Sequence, residues 1–342
     1  MKRVAIVTIE SLNYGNRLQN YALQQVIELQ GCAVETLHRS DAYRTIPAVK
    51  RCIQDILQTK AAKFREFDSH INFANLIIGR DIYPNNLSDS YNYFVVGSDQ
   101  VWNPYYDFVA GECDFLAFAR DNQKISYAAS FGVSEIPSER KIEYSKYLKS
   151  FKEISVREEQ GAKIIKNLTG REITVVLDPT LLLGESEWRK VERKPQSCPK
   201  DKYVFVYALG DKSNRFKEKI EQLKEKYEIF DVRAIQKNGK ERPIGPSEFL
   251  YLIRHAEEIL TDSFHATVFS IIFHKKFVTF NRSGLNMNSR IESLAELVGA
   301  KDRLTECGDL NCEIEIDYAN VDEILEEERR KSIDFLKNAL TD

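Results

Sequence analysis

The chain has 342 residues, 43% of them hydrophobic and 30% charged, with a formal net charge of -3. That balance fits a globular protein with a real core and room for two domains, and it excludes a disordered chain. The basic excess of a nucleic-acid binder is missing, so no nucleic-acid partner is expected. No apolar stretch approaches the ~20 residues of a membrane span. The opening "MKRVAIVTIESLNYG" lacks the form of a secretory signal, so a cytoplasmic location is expected. The six cysteines, at 32, 52, 113, 198, 307 and 312, form no CxxC pair and have no histidine at metal-ligand spacing. All six are expected to be reduced thiols, and no metal site is expected.

Along the chain, "RVAIVTI" is a short apolar run that suits a strand buried on both faces. A turn, "ESLNYGN", leads into "RLQNYALQQVIELQG". There Leu18, Ala22, Val26 and Leu29 recur at helical spacing and Gly31 closes the helix. "CAVETLH" is the next strand. Residues 46–75 look like an inserted helical arm, rich in Lys and Arg, with Phe64, Phe67 and Phe73. Four further strands are expected in "YNYFVVGS", "QKISYAASFG", "FKEISVRE" and "REITVVLDPTLL", with helices at 138–150 and 158–168.

A polar seam with Pro195 and Pro199 follows at about 184–201. A second alternating series then begins. It comprises strand 203–208, helix 213–227, strand 228–234, helix 247–254, strand 257–261, helix 264–273 and strand 276–280. An amphipathic helix ends the chain, with Val321, Ile324, Leu325, Phe335, Leu336 and Leu340 on one side. The expected fold is α/β, two Rossmann-like domains facing a cleft. The boundaries are 1–190, with a helical insertion at about 44–75, then 200–318, then a C-terminal helix 319–342 packing back across the domains.

Ligands of open α/β sheets bind beyond the carboxyl ends of the strands, and five such ends carry polar residues. In "SLNYGNRLQ", Gly15 and Asn16 suit a tight turn before a helix amino terminus; this is an ordinary βα turn or a place for a sugar hydroxyl. In "FVVGSDQVWNP", Asp99, Gln100 and Trp102 follow a buried strand. They could hold a sugar by hydrogen bonds and an indole face, with Asp99 as a general base; equally, they could be a turn cap and a core tryptophan. "SYAASFGV" ends in Ser130 and Gly132, small enough for a ligand to approach the backbone. In "ISVREEQ", Arg157 offers a fork to a carboxylate or phosphate, or pairs with Glu158 or Glu159.

The fifth end is "EILTDSFHATVFSIIF". Asp262 or Ser263 can cap the helix, and His265 falls in its first turn. Helix amides there favour an anion and a neutral imidazole able to transfer a proton. The alternative is a buried histidine satisfied by Asp262.

As an ordered set, these stretches resemble the polysaccharide pyruvyl transferase family. The matching segments are "NYGNRLQNYALQ", "VVGSDQVWNP", "SYAASFG", "SVREEQGAKII", "VVLDPTLLL", "GPSEFLYLI" and "TDSFHATVFSIIF", with "NSRIESLAELVG" extending the likeness to about residue 299. The resemblance implies a glycosyltransferase-B-like fold with an acceptor side in the first domain and a donor side in the second. It implies that phosphoenolpyruvate donates its pyruvyl group to a sugar of an exopolysaccharide of the cell envelope, or of its lipid-linked precursor. The product is a cyclic ketal, phosphate is released, and no cofactor is needed beyond this co-substrate.

In the same sense, Arg157 matches the family's donor-binding arginine and His265 its catalytic histidine, the general acid. Ser263 stands where some members carry an arginine, so another cation must take that anion contact. Lys275, Lys276, Arg282 and Arg290 are the candidates, with Arg290 first. Asp99 is the expected acceptor-side carboxylate, and Asn13, Tyr14, Asn16, Gln100 and Trp102 are expected to bind the acceptor.

Two rivals stand beside this reading. One is a nucleotide-sugar glycosyltransferase, with "AIQKNGKERPIGPSEF" holding the base and Glu248 the ribose. The other is a non-catalytic sugar-phosphate binding protein. The basic arm, with Lys50, Arg51, Lys60, Lys63 and Arg65, is either a solvated face or a peripheral contact with the inner face of the membrane.

Overall fold

A computed structural model of the protein describes residues 1–39, 50, 53, 54, 56, 57, 59–235, 242–282, 289–304 and 315–341. The chain divides into two compact units. Unit 1 holds Met1–Ile53, Asp68–Leu182 and Glu327–Asp342; unit 2 holds Gln54–Phe67 and Leu183–Glu326.

Unit 1 opens with β1 (Arg3–Val7), α1 (Tyr14–Leu29) and β2 (Ala33–Arg39). Strand β1 is buried from Val4 onward, as its unbroken apolar run requires of a central parallel strand. Helix α2 (Lys60–Phe67) intervenes in sequence but belongs to unit 2. Unit 1 resumes with β3 (Phe73–Ile78), β4 (Tyr93–Val96), β5 (Lys124–Ala129), α3 (Lys141–Lys149), β6 (Glu153–Val156), α4 (Glu159–Thr169) and β7 (Thr174–Val175). The strands form one parallel sheet in the order β3-β2-β1-β4-β5-β6-β7.

Unit 2 continues with α5 (Glu185–Arg189), β8 (Tyr203–Tyr207), α6 (Asn214–Lys224), β9 (Glu228–Asp231), α7 (Pro246–His255), β10 (Glu258–Thr261), α8 (Phe264–Ile272), β11 (Lys276–Thr279) and α9 (Ser289–Leu297). Its parallel sheet has the order β11-β10-β8-β9. Helix α10 (Tyr318–Ala339) ends the described chain.

Each sheet reverses its winding once. In unit 1 the reversal lies between β1 and β4; in unit 2 it lies between β8 and β10. There the loops leaving neighbouring strands diverge to opposite faces and open a crevice at the carboxyl ends. The residues following β1, β4, β8 and β10 are therefore those the topology offers to a ligand.

The expected α/β class and alternating order hold in both units, and two expectations change. Residues 73–78 are a strand, not the end of a helical arm. Ala74 and Ile78 are buried, and Phe73 stacks on His38 of β2 with centroids 4.3 Å apart. Helix α2 packs with unit 2, where Lys63 lies 3.4 Å from Glu248 and Arg193 bonds Glu66 at 2.6 Å. Of α10, Tyr318–Glu326 cluster with unit 2 and the remainder with unit 1. In unit 2 the Tyr318 hydroxyl donates to the Lys275 carbonyl; in unit 1 the Leu177 amide donates to Ser332 and Lys2 to the Leu340 carbonyl.

Part of the basic arm is internally paired: Lys63 meets Glu66 and Glu248, and Arg65 donates to Gln54. Arg51 lies outside the described residues, as do Cys52, Cys307 and Cys312. No helix among the described residues is long and apolar enough to cross a membrane.

Candidate functional site

In unit 1, the reversal point is bridged by side chains. Asn13 caps α1 by accepting the Gly15 amide at 2.9 Å. One turn in, Asn16 accepts a hydrogen bond from Ser11 and donates one to the Asp99 carboxylate, joining the end of β1 to the end of β4. Asp99 has φ 76°, a left-handed backbone that an L-residue other than Gly or Asn adopts at a cost. The strain is held by the Ser130 amide on its carbonyl at 2.9 Å and by its own carboxylate, which accepts the Gln100 amide at 2.8 Å.

Behind Asp99 stands Arg157, at the end of β6. Its guanidinium donates to Asp178 at 2.7 Å, to Ser98 at 3.1 Å and to Asp99 at 3.2 Å, and lies 3.7 Å from Glu158. Burial opposes its charge, but the charges of Asp99, Asp178 and Glu158 outweigh burial and raise its pKa. Asp178 also accepts from Ser98 and Thr180.

The guanidinium expected to bind the donor is buried and holds Asp178, Asp99 and Ser98.

The acceptor-binding expectations also change. Trp102 is fully buried; its indole N–H donates to the Asp114 carbonyl at 2.9 Å, and its ring packs on Phe115, Phe131 and Phe151. It fills the core and offers no face to a sugar. Tyr14 is 1% exposed. Gln100 accepts from Asn103 at 2.7 Å over Gly132, where an added Cβ would lie 2.1 Å from the Gln100 oxygen. Gly132 therefore makes room for Gln100, not for a ligand. Of the expected set, Asn16 and Asp99 meet at the reversal point and Asn13 shapes the turn.

Three residues here were missed in the sequence. Asp178 follows β7 and was marked only by its place at a strand end. Glu10, buried just past β1, accepts from the His38 ring at 3.2 Å and the Arg39 amide at 3.1 Å, and lies 3.7 Å from Arg17. Arg39, the last residue of β2, donates to Asp114 at 2.7 Å and to the Phe108 carbonyl at 2.9 Å.

In unit 2, Asp262 follows β10. Its two carboxylate oxygens accept the Leu209 and Gly210 amides, at 2.6 and 2.8 Å, from the turn after β8. This is the reversal point of the second sheet. Arg282, following β11, closes over it with Nε 3.4 Å from the carboxylate, packed so tightly that an added Cβ on Gly210 would lie 2.8 Å from the arginine stem.

Ser263, not Asp262, caps α8 by accepting the Ala266 amide at 3.5 Å. Its hydroxyl oxygen thus accepts from the helix, and its proton remains a donor. His265 sits in the first helical turn, 7% exposed, its ring edge-to-face with Phe264 at 5.2 Å. Arg290 of α9 lies over the same Phe264 ring at 5.7 Å. The histidine and the arginine thus contact the same ring.

Lys276 does not join them. It opens β11 and lies 3.4 Å from Glu258, which opens β10, so both are at the amino ends of their strands, across the sheet from His265. Lys275 precedes it at the same end. Glu248 is committed as well: it caps α7 through the Gly245 amide at 3.1 Å and pairs with Lys63. That removes the expected ribose contact. Residues 236–241 of the associated loop lie outside the described residues.

Two outcomes follow. Trp102→Ala should destabilise unit 1 by about 3–5 kcal/mol, the usual range for a buried tryptophan, as measured by denaturant unfolding. A sugar platform at the surface would lose affinity with little change in stability. The second concerns Glu10. Burial raises its carboxyl, but His38, Arg17 and the Arg39 amide hold it below the ordinary value of 4.5. The stability contributed by the ionised form is present above that value and lost as pH falls through the lower folded value. The stability difference between wild type and Glu10→Gln should be constant at neutral pH and shrink in acid; a difference unchanged below pH 4.5 would contradict the assignment.

Similarity to solved structures establishes the fold class. The UDP-GlcNAc 2-epimerase from Methanocaldococcus jannaschii superposes with TM-score 0.51 at 14% identity, over 95% of this chain and 92% of that one. The S. aureus MnaA–UDP co-structure gives TM-score 0.52 at 11% identity, over 96% and 88%. At such identities the likeness shows a glycosyltransferase-B-like, Rossmann-type fold and nothing of substrate. No curated protein matches the chain in sequence. The family model for polysaccharide pyruvyl transferase matches residues 13–284, most of the chain. The protein is a transferase and belongs to the polysaccharide pyruvyl transferase family.

Proposed function

We propose that the protein transfers the pyruvyl group of phosphoenolpyruvate onto two hydroxyls of a polysaccharide sugar, closing a cyclic ketal and releasing phosphate. The observation that carries this reading is that His265 and Arg290 both pack on the Phe264 ring in unit 2. The donor carries a carboxylate and a phosphate, so it needs cations; its methylene carbon must gain a proton, so it needs an acid. Arg290 and Arg282 supply the charge that Ser263 does not.

In this mechanism His265 protonates the methylene carbon, which becomes the methyl group, and leaves an oxocarbenium centre at C2. The first sugar hydroxyl adds there and loses its proton. Phosphate then departs with the C2–O bond, and the second hydroxyl adds and loses its proton to close the ring. One hydroxyl proton restores His265 and the other leaves with phosphate. We assign acceptor recognition to unit 1, where Asp99, held by Arg157, offers its carboxylate to a sugar hydroxyl.

Calorimetry with phosphoenolpyruvate and, separately, UDP tests the reading. Saturable phosphoenolpyruvate binding is expected. Arg290→Ala should weaken it by about tenfold or more, the range for a hydrogen bond to a charged group. His265→Ala should retain that binding and lose roughly 10²–10⁴-fold in turnover, the range for a general acid. UDP binding without phosphoenolpyruvate binding would overturn the proposal in favour of nucleotide-sugar transfer.

A further inference from the structure

A cavity of about 260 Å³ opens beyond the carboxyl ends of β1 and β2, lined by Ile9, Glu10, Ser11, Arg39, Phe108 and Val109. All six residues belong to unit 1. We propose that this cavity is the subsite for one neutral pyranose ring of the acceptor. The inference rests on the transferase reading above and extends it to residues given no role there.

Size is the first argument. Pockets for drug-sized ligands run to about 300–1,000 Å³. This one lies below that range, which suits a single sugar ring and is too small for a nucleotide sugar. Charge is the second. The described lining holds one carboxylate, Glu10, beside Arg17 and His38, and one guanidinium, Arg39, paired with Asp114. Sugar hydroxyls donate to a carboxylate or a serine oxygen and accept from a guanidinium.

Shape is the third. Phe108 is 45% exposed and stacks on Tyr106 with centroids 5.3 Å apart. Arg39 donates to its backbone carbonyl at 2.9 Å. An exposed aromatic in the lining offers a flat apolar face to the C–H face of a pyranose.

The fourth argument is the link to chemistry. Ser11 lines the cavity and donates to Asn16, which donates to Asp99. The wall of the cavity and the proposed base thus belong to one hydrogen-bonded chain. A ring seated against Ser11 would be sensed two hydrogen bonds from the Asp99 carboxylate.

The test is saturation-transfer NMR on the full chain with methyl glycosides of galactose, glucose and mannose. Transfer to the ring protons of at least one glycoside is expected. Phe108→Ala should abolish it, Phe108→Trp should restore it, and Arg290→Ala should leave it intact. Transfer to none of the three, or transfer unchanged in Phe108→Ala, overturns the subsite. Phosphoenolpyruvate titration of the same variants separates the two ideas. A chain that binds phosphoenolpyruvate but no glycoside loses the subsite and keeps the donor reading. A chain that binds a glycoside through Phe108 but no phosphoenolpyruvate keeps the subsite and loses the donor reading.

Discussion

A buried guanidinium among three carboxylates organises unit 1. Arg157 draws Asp99, Asp178 and Glu158 to the carboxyl ends of the central strands. Such a cluster is weak as a source of stability, because desolvating the ions costs nearly as much as their attraction returns. Its value is positional. Breaking one partner leaves buried charge uncompensated, at about 3–5 kcal/mol, so the arrangement tolerates few alternatives. Asp99 can then hold a left-handed backbone that a lone turn residue would relax away from.

Unit 2 solves the same problem with backbone amides. Asp262 occupies two N–H groups of the turn after β8 with its two oxygens. That contact ties the two strands flanking the reversal of the sheet. Ser263 can then cap α8, and His265 falls in its first turn. Both units thus place an acidic residue where the winding reverses, and each aspartate fixes a neighbouring loop. The difference lies in what holds it: Arg157 donates to Asp99, whereas backbone amides and Arg282 meet Asp262.

Much of the framework was legible in the sequence. Unbroken apolar runs such as "YVFVY" and "YFVV" announce parallel strands buried on both faces. Polar residues just past such runs mark strand ends, and this singled out Asp99, Arg157 and His265. Strand β3 was missed because it lies at the sheet edge and follows a helix whose phenylalanines continue the apolar pattern. Trp102 was misplaced because an indole beside a carboxylate has the same sequence signature in a core as in a sugar site.

The sequence alone determined which elements form, their order, the α/β class and the histidine at a helix start. These depend on local periodicity and on caps within a few residues. Tertiary structure decided which side chains meet. Arg157 finds Asp178 and Ser98, 21 and 59 positions away, and Asp262 finds an amide 53 positions away. Whether an arginine faces a ligand or three carboxylates depends on strand order. Strand order is set by how whole apolar faces pack, which no local pattern encodes.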